Sequence, residues 1–260
     1  MNTIEFFRGL GSEASSLIRS LKDPLKVVGI NPLGQKSMKI DVALENLVVR
    51  RLNESKVGNL LVTEEKGEIK LSGKKGVLVL DPLDGSNNFQ RKVPSYGFII
   101  AFAEGRHYQD ITHSYIKDLS NGDEYWAIKG KGAFMNGRSI RTSKETELEN
   151  SILEYDPNSN QQIYKRILPL LENVKDIRRF GANALALCYI ANGAHQIFVD
   201  LENRLSIIHA AGLKIAEEAG AVVTDHKGRK INPPLKEGSY LSFVCSANKT
   251  LHKKVLKLVK

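Results

Sequence analysis

Hydrophobic positions along the chain follow two different periods. Between residues 2 and 21, Ile4, Phe6, Phe7, Leu10, Ala14, Leu17, Ile18 and Leu21 fall near helical spacing, with Gly9 and Gly11 inside the run. This predicts a helix that the glycines weaken or break. Pro24, Gly29, Pro32 and Gly34 mark the next stretch as a loop. A second helix is predicted from about Ser37 to Asn53, with Ile40, Leu44, Leu47, Val48 and Leu52 on one face. The pattern then shortens into strand-sized apolar runs at 60–63, 77–80, 98–103, 110–116 and 124–128, and a glycine-rich hairpin over 129–137. From residue 152 it alternates. Strands are predicted at 152–155, 176–180, 195–200, 221–224 and 241–246, and helices at 160–173, 183–192, 206–219 and 248–260.

These elements predict an α/β protein in two parts. Residues 1–146 form an α+β half with a mostly antiparallel sheet. Residues 147–260 form an α/β half, and the two share a cleft.

Composition adds limits. The chain has 260 residues, 42% hydrophobic and 26% charged, enough for a substantial core. No apolar run approaches the length of a membrane span, and the first residues lack the basic flank and apolar core of a signal peptide. A cytoplasmic setting and no membrane association are the expectation. Cys188 and Cys245 stand in apolar surroundings and read as buried free thiols. The net charge of +9 is scattered apart from the tail, with no zinc-ligand spacing or aromatic-basic motif. It argues weakly for nucleic acid and suits a phosphorylated small molecule equally well.

Candidate chemistry concentrates after residue 77. The strand Val77–Leu80 runs into Asp81 and Asp84, with Pro82 between them and Gly85 and Ser86 behind. Asp-Pro and Asp-Gly are also ordinary turn dipeptides. Two acids delivered to one strand end make an oxygen-rich corner for a hard cation such as Mg²⁺, which in turn holds phosphate oxygens. Glu64 and Glu65 end another strand and supply carboxylates from a second direction. Asp41 sits in the first turn of the second helix, where the helix dipole alone would explain it. Gly181 opens a helix and reads either as a turn or as a place for substrate oxygens. Lys129–Gly137 is not a phosphate loop, since no helix and no Lys-Ser/Thr end follow.

The segment Asp81-Pro82-Leu83-Asp84-Gly85-Ser86-Asn87-Asn88-Phe89 resembles the metal motif of the inositol monophosphatase family, magnesium-dependent and lithium-sensitive sugar and inositol phosphatases. The resemblance implies a layered αβαβα sugar-phosphatase fold, a Mg²⁺ cofactor, a small phosphorylated polyol or sugar as substrate, and a homodimer. It implies metal ligation by Glu64, Asp81, the Leu83 carbonyl and Asp84. It gives Asp41, Glu65 and the Ser86 hydroxyl the positioning of the attacking water. Gly85 and Ser86 would hold phosphate. Arg179, Gly181 and Ala182 would line the substrate pocket, and Asp200 would meet substrate hydroxyls.

One feature departs from the family. The helix that should begin Trp-Asp-x-Ala-Ala-Gly reads Ile207-Ile208-His209-Ala210-Ala211-Gly212, with Ile208 at the Asp position. In a helix His209 points about 100° away from Ile208, and it is a softer ligand than Mg²⁺ prefers. The expectation is a weakened second metal position, the alternative being a change of register that brings His209 in. Glu202 also stands where archaeal bisphosphatase members carry Arg, with Arg204 displaced, which weakens the case for a bisphosphate substrate. The reading is a Mg²⁺-dependent phosphomonoesterase, with a catalytically weakened phosphate-binding protein as the alternative.

Overall fold

A computed structural model describes residues 2–31, 34, 36–155 and 160–259. Helix α1 (Thr3–Ser20) is capped by Asn2, whose side chain accepts from the Ile4 amide at 3.1 Å. The glycines do not break it. Gly11 faces Tyr115 so closely that any Cβ would collide with the phenol. The expected loop contains a hairpin, β1 (Val27–Ile30) against β2 (Lys36–Met38). All of β1 is exposed, so no apolar alternation signals it. Pro32 of that loop lies outside the described residues. Helix α2 (Lys39–Ser55) starts after Ser37, which belongs to β2.

Next come β3 (Leu60–Thr63), β4 (Gly67–Lys70), β5 (Val77–Asp84), the short helix α3 (Ser86–Arg91), β6 (Gly97–Ala103), β7 (Ile111–Asp118), β8 (Glu124–Ile128), β9 (Gly132–Met135) and β10 (Arg138–Ile140). Their sheet has the order β10-β9-β8-β7-β6-β5-β3-β4. Every pairing is antiparallel except β3 with β5. Strand β4, which no apolar run announces, is a short, largely exposed edge. The expected end of β5 at Leu80 also needs correction. A bulge places Pro82 and Leu83 opposite Phe98, and pairing resumes at Asp84 with Gly97.

The second sheet gathers β11 (Ile152–Tyr155), β12 (Asp176–Arg178), β13 (Ile197–Ser206), β14 (Val222–Thr224) and β15 (Tyr240–Ser246) in the order β12-β11-β13-β15-β14. Helices α4 (Gln161–Leu171), α5 (Asn183–Ala191), α6 (Ala210–Ala219) and α7 (Lys249–Leu258) connect or follow these strands. The predicted helix over 206–219 begins later. Strand β13 runs through Ser206, a 3-10 turn covers Ile207–His209, and only then does α6 start.

Burial defines the layers. Leu61, Leu78, Leu80, Phe98 and Ile100 face α1 and α2 from one side of the large sheet. Val62, Val77, Val79, Ile99 and Ala101 face α5 and α6 from the other. That same cluster takes in Phe198, Phe243 and Cys245 of the small sheet. Ile197, Val199 and Val244 point the opposite way, onto α4 and α7. The alternation along β5, β13 and β15 therefore builds five layers, αβαβα. Helices α5 and α6 are packed between two sheets, which is why α5 is apolar all round, with Ala184–Cys188, Ile190 and Ala191 buried.

Candidate active site

Strands β3 and β5 are parallel neighbours, with Thr63 opposite Leu80. Their carboxyl ends point the same way, so Glu64 and Asp81 emerge side by side. Asp41 reaches the group from the first turn of α2, where its Oδ2 accepts from the Met38 amide at 3.2 Å. Asp41 and Asp81 are buried, and Glu64 is nearly so. Burial, reinforced by the charge of Glu65, pushes the Asp41 carboxyl up to about 7. Burial and then the charge of Asp81 hold Glu64 well above the usual carboxylate range. Burial also raises Asp81, against the opposing effect of His209. Glu65 is raised by burial, partly offset by a hydrogen bond from the Ser37 hydroxyl. Buried Glu45 braces this corner. It accepts from Thr63 Oγ1 at 2.7 Å and pairs with Lys66 Nζ at 3.1 Å.

The bulge in β5 turns Asp81 and Asp84 to the same side. Asp81 Oδ1 accepts from the Leu83 amide at 3.0 Å, while the Leu83 side chain joins the core under α2. Asp84 reaches across to the second half and accepts from the Asn183 and Ala184 amides, at 3.2 and 2.9 Å. This acid therefore caps the first turn of α5 and fixes the two halves against each other.

The wall opposite corrects the sequence-based expectation. Ile208 is buried, as an isoleucine should be, but His209 does not turn away. Its Nε2 lies 3.3 Å from Asp81 Oδ2 and 3.5 Å from Asp84 Oδ1. Its Nδ1 lies 3.2 Å from the Ser206 carbonyl oxygen. The 3-10 turn rotates each residue more than an α-helix does, and it delivers the imidazole where the helical register would not. Burial by itself would lower His209, but hydrogen bonds to Asp81 and Asp84 outweigh it and hold the imidazole well above its ordinary value. Asp81, Asp84 and His209 are grouped closely enough to hold one metal ion. Ser206 caps this turn, its Oγ 3.5 Å from the Ile208 amide.

Of the predicted substrate residues, Gly85, Gly181 and Ala182 meet next to Asp84. Gly85, at φ 80°, precedes Ser86 at the start of α3. Asn88 of α3 ties the halves by donating to the carbonyls of Ser95 at 2.8 Å and Phe180 at 2.5 Å. Gly181, at φ 67°, lies against Asn88, and buried Ala182 caps α5. Asn87, Asn88, Arg91, Arg179, Phe180 and Gly181 line one open groove. Asn87, Asn88 and Arg91 were not singled out from the sequence. Arg91, held by Asn87 Oδ1 at 3.1 Å, carries no signal beyond its charge. Asp200 stands earlier on β13, opposite Phe243, with its Oδ1 accepting from the Glu202 amide at 2.9 Å.

A family model described as the inositol monophosphatase family matches residues 8–260. The chain belongs to that family. It is a phosphoric monoester hydrolase of the sugar and inositol phosphatase class. A fructose-1,6-bisphosphatase/inositol-1-monophosphatase of Methanothermobacter thermautotrophicus is 29% identical, covering 97% of this chain and 96% of that protein. The protein of the same description from Archaeoglobus fulgidus is 31% identical, covering 100% and 98%. The crystal structure of an inositol monophosphatase-fructose 1,6 bisphosphatase superposes with a TM-score of 0.86 at 26% identity, covering 99% of this chain and 100% of that one.

Proposed function

We propose that this inositol monophosphatase family member hydrolyses a small polyol or sugar monophosphate with Mg²⁺ as a cofactor. The observation that carries the reading is the convergence of Asp41, Glu64 and Asp81, three carboxylates held above their ordinary range by burial and by one another. Such a donor set is stabilised by a divalent cation. Glu64, Asp81 and the Leu83 carbonyl would hold Mg²⁺, with Asp84 on the side facing the second half. The bound cation would supply Lewis-acid polarisation of phosphate oxygens and lower the pKa of a water.

The chain's own groups do the rest. Asp41 and Glu65 orient the attacking water and receive its proton, Glu65 being kept in place by Ser37. The Ser86 hydroxyl fixes the same water from the other side. Backbone amides at Gly85 and Ser86 hold the phosphate. Arg91 and Arg179 on the adjoining groove attract the anion. Asp200 meets the substrate hydroxyls. The relatives' names include both monophosphatase and bisphosphatase activity; Glu202 in place of an arginine favours a monophosphate here. A homodimer in a cytoplasmic setting completes the proposal, and light scattering checks the dimer. Among the described residues no helix is long and apolar enough to cross a membrane.

The test is Asp81→Asn, assayed for Mg²⁺-dependent phosphate release from inositol monophosphate. Loss of turnover is expected; unchanged turnover overturns the assignment. The weakened-binder alternative rested on Ile208, and His209 fills the wall that Ile208 leaves without a carboxylate.

A further inference from the structure

We propose that Asp81, Asp84 and His209 form a two-oxygen, one-nitrogen site that selects a borderline transition cation, Zn²⁺ best of all, over Mg²⁺. This deepens the phosphatase reading and rests on it. The position formed by Glu64 and Asp81 keeps an all-oxygen donor set and stays suited to Mg²⁺.

Three observations support the assignment. The first is donor chemistry. Imidazole nitrogen suits zinc and its neighbours, whereas Mg²⁺ prefers oxygen donors and retains its water. Replacing a carboxylate by a neutral imidazole ligand also removes one negative charge, which costs a hard cation more than a borderline one.

The second is spacing. Nε2 of His209 stands 3.3 Å from Asp81 Oδ2 and 3.5 Å from Asp84 Oδ1. Donors about 2.0–2.1 Å from a tetrahedral zinc lie about 3.3–3.4 Å apart, whereas octahedral donors around Mg²⁺ lie about 2.8–3.0 Å apart. Three protein ligands with one open position is the arrangement of catalytic zinc sites.

The third is the orientation of the imidazole and its acidic partners. His209 Nδ1 lies 3.2 Å from the Ser206 carbonyl oxygen, so its N–H can donate there and leave Nε2 facing the two acids. Zinc-binding histidines are held by this kind of outer hydrogen bond. The acids are fixed too: the Leu83 amide holds Asp81 Oδ1, and the α5 amides hold Asp84. Binding exchanges any proton on Nε2 for the cation and releases that proton to solvent.

The experiment is calorimetric titration of the metal-free full chain with Zn²⁺ and, separately, Mg²⁺, on wild type, His209→Ala and His209→Asp. A parallel Co²⁺ titration is followed by visible absorption. Wild type is expected to bind one Zn²⁺ about 100-fold or more tighter than Mg²⁺. His209→Ala is expected to lose about 100-fold or more in Zn²⁺ affinity, together with the four-coordinate Co²⁺ band, while one Mg²⁺ still binds. His209→Asp is expected to narrow the gap by gaining Mg²⁺ affinity. Circular dichroism confirms that each variant is folded, and should His209→Ala not fold, His209→Asp alone decides. Zn²⁺ affinity indifferent to both substitutions overturns the inference, as does a wild type with equal affinity for the two ions. Phosphate release assayed alongside separates the two claims. Release without selective Zn²⁺ binding leaves the phosphatase reading and sinks this one. Selective Zn²⁺ binding without release from any sugar or inositol phosphate does the reverse.

Discussion

Two histidines in largely enclosed places, one at the seam between the halves and one beneath the small sheet, have opposite surroundings. His209 sits at the seam between the halves, facing Asp81 and Asp84, and hydrogen bonds with those acids hold its imidazole well above the ordinary value despite burial. His252 lies on α7 beneath the small sheet, between the hydroxyls of Ser246 at 3.1 Å and Thr224 at 2.8 Å. Burial with only neutral partners pushes it down to about 4. One imidazole is satisfied by neutral groups and stays uncharged, so it serves packing. The other is held against Asp81, which burial itself raises, and that imbalance marks chemistry. What distinguishes them is the charge of the neighbours, not the depth of burial.

The sharpest way to break the contrast is at the seam. Asp81→Asn should lower metal-dependent phosphate release by about 10³-fold or more, because the residue faces both candidate cation positions; a steady-state assay measures it. Ile208→Asp, which restores the family's residue at that position, should not raise turnover. Ile208 is buried and His209 already occupies the wall, so the new carboxylate is expected to cost about 2–4 kcal/mol by urea denaturation. A gain in turnover would mean that His209 does not compensate. On the other side of the comparison, His252→Ala should cost about 1–3 kcal/mol by emptying packed volume and taking the imidazole from the Ser246 hydroxyl, while Thr224 keeps its bond to the Asp225 carbonyl, with kcat unchanged.

A further effect concerns pH and is read on the metal-free chain. The Asp41 carboxyl rises from 3.8 to about 7 on folding, so the folded state binds the proton more tightly. Its contribution is present below pH 3.8 and is lost as pH rises to about 7. Metal-free Asp41→Asn lacks that loss. Relative to wild type, it should gain up to about 4 kcal/mol more at pH 8 than at pH 4 by chemical denaturation. An equal difference at both values would remove Asp41 from the coupled group.

Much of the first half was legible because its elements are long and periodic or continuously apolar. Helices α1 and α2 follow their apolar faces, and β5 and β6 read as strands because both of their faces are covered. The pairing of Val27–Ile30 with Lys36–Met38 was not legible, since Pro and Gly punctuate that stretch and its first strand is exposed throughout, with no buried face to set a pattern. The groove residues Asn87, Asn88 and Arg91 were equally silent. Polar residues on a short helix look alike until the carbonyls of Ser95 and Phe180 are brought to Asn88.

By itself the sequence marked Asp81, Asp84 and Glu64 as acids at strand ends and Asp41 as an acid at a helix start, and the family resemblance joined them into one corner. Strand ends and a helix start are local features, and a carboxylate placed at one is readable from its neighbours. Only the tertiary structure decided what faces that corner. Whether Ile208 or His209 meets Asp81 depends on how far β13 runs and on a single 3-10 turn before α6. That choice is set by packing across two sheets, where one residue of register moves a side chain by a third of a turn, and no local pattern encodes it.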